Sequence, residues 1–203
     1  FTVAETNELS LILRAGALPA PLIVMEERSI GPGLGADSVA AGQVAAIVGL
    51  VLVIIYMILS YGFFGVLANI ALAVNITLIL GTLSFIQATL TLPGIAGIVL
   101  TMGMAVDANV LVFERIREEL RRGRNVMAAI EGGYQRAIST IIDSNLTTLF
   151  AALFLYGFGS GPIRGFAVTL AIGIITSLFT AVMVTRMLII IWLERKRPRE
   201  LVL

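Results

Sequence analysis

The stretch Gly103-Met-Ala-Val-Asp-Ala-Asn-Val-Leu-Val-Phe-Glu-Arg-Ile116 sets an aspartate, Asp107, inside a run of apolar residues. A carboxylate at the centre of a bilayer costs roughly 2.5–3.5 kcal/mol on insertion scales, so one that is kept there faces a bundle interior and is functional by default. Burial also raises a carboxylate's pKa toward the range in which it binds and releases a proton. Asp107 therefore predicts a membrane protein that couples an ion to movement, with the carboxylate buried between helices. Asp107 lies fourteen residues beyond Pro93, roughly 21 Å along a helix and inside the apolar slab.

The whole chain agrees with that reading. Of 203 residues, 58% are hydrophobic and 13% are charged, which puts it in the membrane class. A net charge of +1 gives no case for nucleic-acid binding. There is no Cys and no His. Cys/His zinc sites, thiol nucleophiles and Ser-His-Asp triads are thereby excluded. No catalytic set, metal site or cofactor is expected beyond a coupling ion, H⁺ or Na⁺. Any proton relay must run through carboxylates and water. The chain opens Phe-Thr-Val without an initiator Met, which is read as the C-terminal part of a longer protein.

The expected fold is an all-α polytopic membrane bundle with five visible spans, at about 43–60, 65–85, 93–113, 138–158 and 165–193. Each is about 18 residues or more, enough to cross ~30 Å of hydrocarbon. Arg115, Arg117, Arg121, Arg122, Arg124 and Arg136 fall in the 114–137 loop, and Arg195, Lys196, Arg197 and Arg199 in the 194–203 tail. Five spans put loop and tail on one side, and the positive-inside rule makes that side cytoplasmic. The bacterial cytoplasmic membrane follows as the location, with the N-terminus outside. The 114–137 loop is expected as one or two helices lying near the membrane surface. Residues 1–42 are expected as the end of an extracytoplasmic domain leading into the first visible span. This small α/β stub has a helix in TNELSLILRAG, a strand in LIVMEERSI and a turn at GPGLG (31–35).

Several polar and small residues join Asp107 as candidates. Gly103, Met104, Val110, Leu111 and Glu114 share its helical face, and Asn109 follows it by two residues. Gly94, Gly97, Gly103, Ala105 and Ala108 make this span slim, so that neighbours can approach closely. Asp143 is the second buried candidate, with Thr147 one turn above it and Asn145 and Thr148 on other sides. Arg136 is placed to pair with a carboxylate on its own or a neighbouring helix. Gly165, Thr169, Gly173, Ser177, Ala181 and Thr185 recur every fourth position as a small-residue ridge. Asn69 and Asn75 are expected to hydrogen-bond across helices.

Three stretches carry a resemblance: Gly31-Pro-Gly-Leu-Gly-Ala-Asp-Ser38; Leu92-Pro-Gly-Ile-Ala-Gly-Ile-Val-Leu-Thr-Met continuing through Ile116; and Asp143-Ser-Asn-Leu-Thr-Thr148 with Gly159-Ser-Gly-Pro-Ile-Arg-Gly-Phe166. With these the chain resembles the membrane half of the SecD family of protein-export factors, in the resistance-nodulation-division superfamily. The resemblance implies a six-helix half whose first span and most of whose extracytoplasmic head are missing here. It implies use of the proton-motive force to help preproteins across the membrane. It puts the family's proton-site aspartate at Asp107 and a fifth-span motif aspartate at Asp143, and by analogy with the SecF half it gives Arg136 a part. The implied partners are SecF, separate or fused, the SecYEG channel, unfolded preprotein, YajC and YidC. Two rivals stand beside this reading. One is an efflux half-transporter of the same superfamily, which tends to carry a doubled Asp-Asp where Ala108 follows Asp107 here. The other is a non-transporting scaffold of the translocon.

Overall fold

A computed structural model describes residues 2–15 and 32–196. The chain divides into two compact units, Phe1–Gly35 and Ala36–Leu203. In the first, α1 spans Val3–Ala15 and realises the helix expected in this stretch. Thr2 and Glu5 open it reciprocally: the Thr2 N–H donates to Glu5 Oε2 at 2.7 Å and the Glu5 N–H to Thr2 Oγ1 at 3.4 Å. This exchange satisfies amides that a helix start leaves unpaired. The expected strand over 22–30 lies outside the described residues. The turn expected at 31–35 is corrected, because α2 (Pro32–Phe85) already begins at Pro32. Proline fits a first helical position, where its fixed φ is preset and no N–H is missed.

Among the described residues four helices are long and apolar enough to cross a membrane: Asp37–Phe85, Leu92–Arg121, Val126–Phe158 and Pro162–Lys196. The first holds both stretches expected as separate spans. It is broken at Gly62, whose φ of 51° and ψ of −122° are not helical. Asn69 Nδ2 donates to the Ile54 carbonyl at 3.2 Å. Fifteen residues of unbroken helix would separate them by roughly 22 Å, so the chain folds back at Gly62. A side chain on Gly65 would run into the Met57 carbonyl, so the two limbs touch backbone to backbone there. Gly161, at the reversal from the fourth helix to the fifth, has nearly the same angles, φ 51° and ψ −120°.

α3 (Leu92–Arg121) starts at Thr91, whose hydroxyl accepts the Gly94 N–H at 3.2 Å. α4 (Val126–Phe158) starts at Asn125, whose side chain accepts the Ala128 N–H at 2.8 Å. The helices expected over 114–137 are present as extensions of α3 and α4, which continue until only residues 122–125 link them. Gly123 turns the link with a φ of 81°. Amphipathic, charge-laced sequence extends these helices past their apolar parts because i, i+3 ion pairs such as Arg115–Glu118 (2.8 Å) and Arg117–Glu114 (2.6 Å) support the exposed turns. α5 (Pro162–Phe179) leads through a π-helical turn, Thr180–Val184, into α6 (Thr185–Lys196).

α3 is the central post. The small-residue ridge lies against it: Thr169, Gly173, Ser177, Ala181 and Thr185 are buried and Gly165 is half-buried. A Cβ on Gly165 would come within 2.8 Å of Thr91 Oγ1; one on Gly173 would collide with Thr101, and one on Gly97 with Thr169. At one end Phe63, Phe64, Phe113 and Trp192 stack with ring centroids 5.0–5.7 Å apart, joining the Gly62 reversal to α3 and α6. Ile116, Ile130, Tyr134 and Leu193 complete that cluster. The Arg121–Arg124 link and the basic end of α6 therefore mark the same end of the bundle.

Candidate functional site

Asp107 falls fifteen residues after Leu92 and fourteen before Arg121, at the middle of α3. Its neighbours Ala105, Val106, Ala108 and Asn109 are buried, but Asp107 itself is exposed on the flank of the bundle. Within this chain alone the carboxylate is therefore not enclosed between helices. Met102, Ala105, Val106 and Asn109 share a buried face of α3, and Asp107 lies on the other side of the helix. No hydrogen bond or ion pair reaches it among the described residues. It lines a groove of about 160 Å³ with Met104, Ala108, Leu111, Thr140, Ile141, Ser144 and Asn145. Thr140, Ser144 and Asn145 bring the polar groups of α4 beside the carboxylate, a lining of oxygens able to pass a proton or hold a small cation.

Asp143 is not part of this groove. Taking 100° per residue, the groove positions of α4 centre roughly 130° from Asp143 around the helix. Asp143 is exposed, which corrects its expected burial, and its carbonyl accepts the Thr147 hydroxyl at 3.0 Å. Asn145 does line the groove, with its amide tied to the Ile141 carbonyl at 2.7 Å. Gly103 is also corrected as a close-packing residue: it is exposed, and a Cβ there would meet nothing within 4 Å. Glu114 turns from the groove and joins the reversal end, accepting from the Tyr61 hydroxyl at 3.0 Å.

Two supporting asparagines are buried. Asn109 donates to the Ala105 carbonyl at 3.2 Å, and its Oδ1 accepts the Thr185 hydroxyl at 2.8 Å. Thr185 closes the π-helical turn with its N–H on the Thr180 carbonyl. Asn109 thus ties the middle of α3 to the irregular turn of the last helix. Asn75 is fully buried and neither of its polar atoms has a partner among the described residues. It is not a lining residue of the Asp107 groove.

Arg136 points to a residue the sequence did not single out. Its Nη1 lies 2.7 Å from Oε1 of Glu119, which is 0% exposed. Arg122 Nη1 is 2.8 Å from the same oxygen, and Arg124 Nε is 2.9 Å from Oε2. The Arg124 contact is an ion pair off the line of a hydrogen bond. One buried carboxylate therefore gathers three guanidinium groups at the α3–α4 link. Gly132 and Gly133 make room for it: a Cβ on Gly133 would sit 2.8 Å from the Ile116 backbone nitrogen, and one on Gly132 3.4 Å from Glu119 Oε2. Glu119 sits i, i+3 from Arg122, a spacing shared by the exposed pairs nearby. Only the Gly132-Gly133 pair, opposite it in the hairpin, signals the close approach that buries it. Among the described residues no group of three acidic, Cys or His side chains is arranged to hold a metal.

A multi-helix membrane bundle with a lone carboxylate midway along its central helix is the class that fold and site define. The family model for the C-terminal part of the protein export membrane proteins SecD and SecF matches residues 20–195, and the chain belongs to that family. It is 56% identical over 201 residues to the protein translocase subunit SecD of Magnetococcus marinus, covering 99% of this chain and 38% of that one. For the subunit of the same name in Rickettsia bellii the figures are 58%, 99% and 39%. The chain thus spans about two fifths of the length of these relatives. It superposes on the crystal structure of SecDF, a translocon-associated membrane protein from Thermus thermophilus, with a TM-score of 0.86 at 46% identity, covering 100% of this chain and 28% of that one. The super-membrane-facing form of SecDF gives 0.78.

Proposed function

We propose that this chain is the ion-coupled membrane half of a Sec export subunit, with Asp107 as the coupling carboxylate. The observation that carries the reading is Asp107 itself: an unpaired carboxylate at mid-span, on the outer flank of the bundle, beside a polar groove. Facing lipid, it would cost about 2.5–3.5 kcal/mol. A second, pseudo-symmetric half covering this flank, SecF-like and either separate or fused, removes that cost and supplies the opposite wall of the site. The relatives named as translocase subunits support a place in export, beside the SecYEG channel and acting on unfolded preprotein, with YajC and YidC as further partners.

In this reading the fold at Gly62 makes two crossings of α2, for five in all. The basic end, with Arg121, Arg122 and Arg124, faces the cytoplasm by the positive-inside rule, in the bacterial inner membrane. Protonation from the outer side neutralises Asp107 and lets the two halves repack; release inward resets them. One charge crossing 100 mV contributes about 2.3 kcal/mol, enough to bias a two-state arrangement by about 50-fold. Asn109 and Thr185 connect that repacking to the last helix. Arg136, through Glu119, holds the cytoplasmic link rather than the proton.

The test is ion flux in vesicles holding the full-length protein with its partner half, wild type against Asp107→Asn, under a pH gradient and under a Na⁺ gradient. Proton flux lost in the variant, together with loss of gradient-driven export, is the expected result. Asp107-dependent flux under the Na⁺ gradient alone changes the fuel. Export that persists at the wild-type rate without Asp107-dependent flux refutes the coupling role.

A further inference from the structure

Arg186 lies in the last helix of the bundle, ten residues before Lys196. It is half-buried, and no carboxylate is paired with it among the described residues. Its guanidinium is stacked over the ring of Tyr134, with Cζ 5.6 Å from the ring centroid. The contact fixes the fork by its face and leaves its edge donors without an acceptor among the described residues. A guanidinium has five N–H donors and is never neutral in a protein, so an unpaired one at membrane depth calls for an anion.

The surroundings say which kind. Arg186 lines an open groove of about 600 Å³ whose other walls are apolar, among them Met183, Met187, Ile190 and Ile191. The π-helical turn Thr180–Val184 widens the helix at the upper end of this groove. Met183 and Met187 are 59% and 53% exposed. Unbranched thioether side chains adapt to a flexible occupant. Depth is set by two markers. Ten residues of helix put Arg186 roughly 15 Å from Lys196. Tyr134 adjoins Gly133, which packs on Ile116, five residues or about 8 Å from Arg121. The guanidinium is therefore within snorkelling reach of the headgroups at the basic end.

We infer that Arg186 and the groove beside it form a phospholipid site: the lipid phosphate bridges the free edge of the guanidinium, and an acyl chain runs from it, away from the basic end, along Met183 and Phe179. A single fixed cation beside an apolar channel matches one phosphodiester and its hydrocarbon tail. The site prefers anionic lipid, because the zwitterionic choline headgroup brings its own cation to the same place. This inference rests on membrane insertion alone and is independent of ion coupling at Asp107.

The test is native mass spectrometry of the full-length protein, released from micelles doped with equal phosphatidylglycerol and phosphatidylcholine. Wild type, Arg186→Gln, Arg186→Lys and the control Arg195→Gln are compared, with helix content checked by circular dichroism. Retained phosphatidylglycerol is expected to fall about fivefold in Arg186→Gln, the equivalent of about 1 kcal/mol for one lost cation at the surface. Arg186→Lys should keep part of it and Arg195→Gln nearly all. An equal fall in Arg195→Gln would show general charge attraction and overturn the site. So would unchanged retention in Arg186→Gln, or a fall in which that variant instead sheds a bound protein subunit.

Discussion

Glu119→Gln tests the structure where its electrostatics are most concentrated. The carboxylate is fully buried, while Arg122, Arg124 and Arg136 are 54, 49 and 47% exposed at 2.7–2.9 Å from it. The half-exposed cations can turn to water when their anchor is lost, so the cost is below the 3–5 kcal/mol of stranding a buried charge. It exceeds the 0–1 kcal/mol of a surface pair, because the anion end is desolvated. Glutamine keeps the shape and one carbonyl acceptor, which leaves a loss of about 2 kcal/mol, a charge-assisted contact's worth. The α3–α4 link should then open about 30-fold more often. Trypsin reads this directly, since Arg121, Arg122 and Arg124 lie at the link. At low protease the initial cleavage rate follows the open population, normalised to the rate on the unfolded variant. Arg136→Gln leaves two cations on the carboxylate and should raise cleavage by no more than about fivefold, the equivalent of about 1 kcal/mol. A Glu119→Gln rate within twofold of wild type, or below that of Arg136→Gln, would refute the hub.

Gly62→Ala meets nothing within 4 Å, so its cost is purely that of a positive φ, about 1–3 kcal/mol; its melting temperature in detergent should fall, while Gly49→Ala, helical and equally open, should not lose stability. Thr185→Val removes the donor to Asn109 Oδ1 and strands that buried oxygen. A loss of about 1–2 kcal/mol is expected, seen as a melting temperature lower by roughly 2–8 °C, with Thr185→Ser close to wild type. A Thr185→Val melt equal to wild type would mean the hydroxyl is held by the Thr180 carbonyl alone.

Helix positions were legible because apolar runs and their stops are local. Pro93, Asn125 and Pro162 sit at starts, and the fourfold spacing of Gly165 to Thr185 reports its own face. What the sequence hid was relational. Glu119 looks like any i, i+3 partner until Gly133 brings α4 onto Ile116. The π-helical turn at Thr180–Val184 has no glycine or proline to announce it. Asp107 and Asp143 read alike, as acids in apolar helices, yet only one faces the groove between α3 and α4. A carboxylate's environment depends on which neighbour its side of the helix meets, and neighbours distant in sequence decide that.

The exposure of Asp107 is therefore a statement about assembly. An acid enclosed by its own chain would be wired to that chain's helices, and its titration would repack one half internally. Here the central post is locked on its other faces: Gly97 against Thr169, Gly173 against Thr101, Asn109 against Thr185. A Cβ on Gly97 or Gly173 would collide with the side chains of Thr169 and Thr101, so these contacts leave little room for sliding. The free degree of motion lies across the open flank, where the carboxylate, Thr140 and Ser144 meet whatever covers them. Charge on Asp107 should thus change how this half sits against its partner more than how its own helices pack. If the proposed coupling holds, a proton on Asp107 would alter the fit between this bundle and the half that covers its flank.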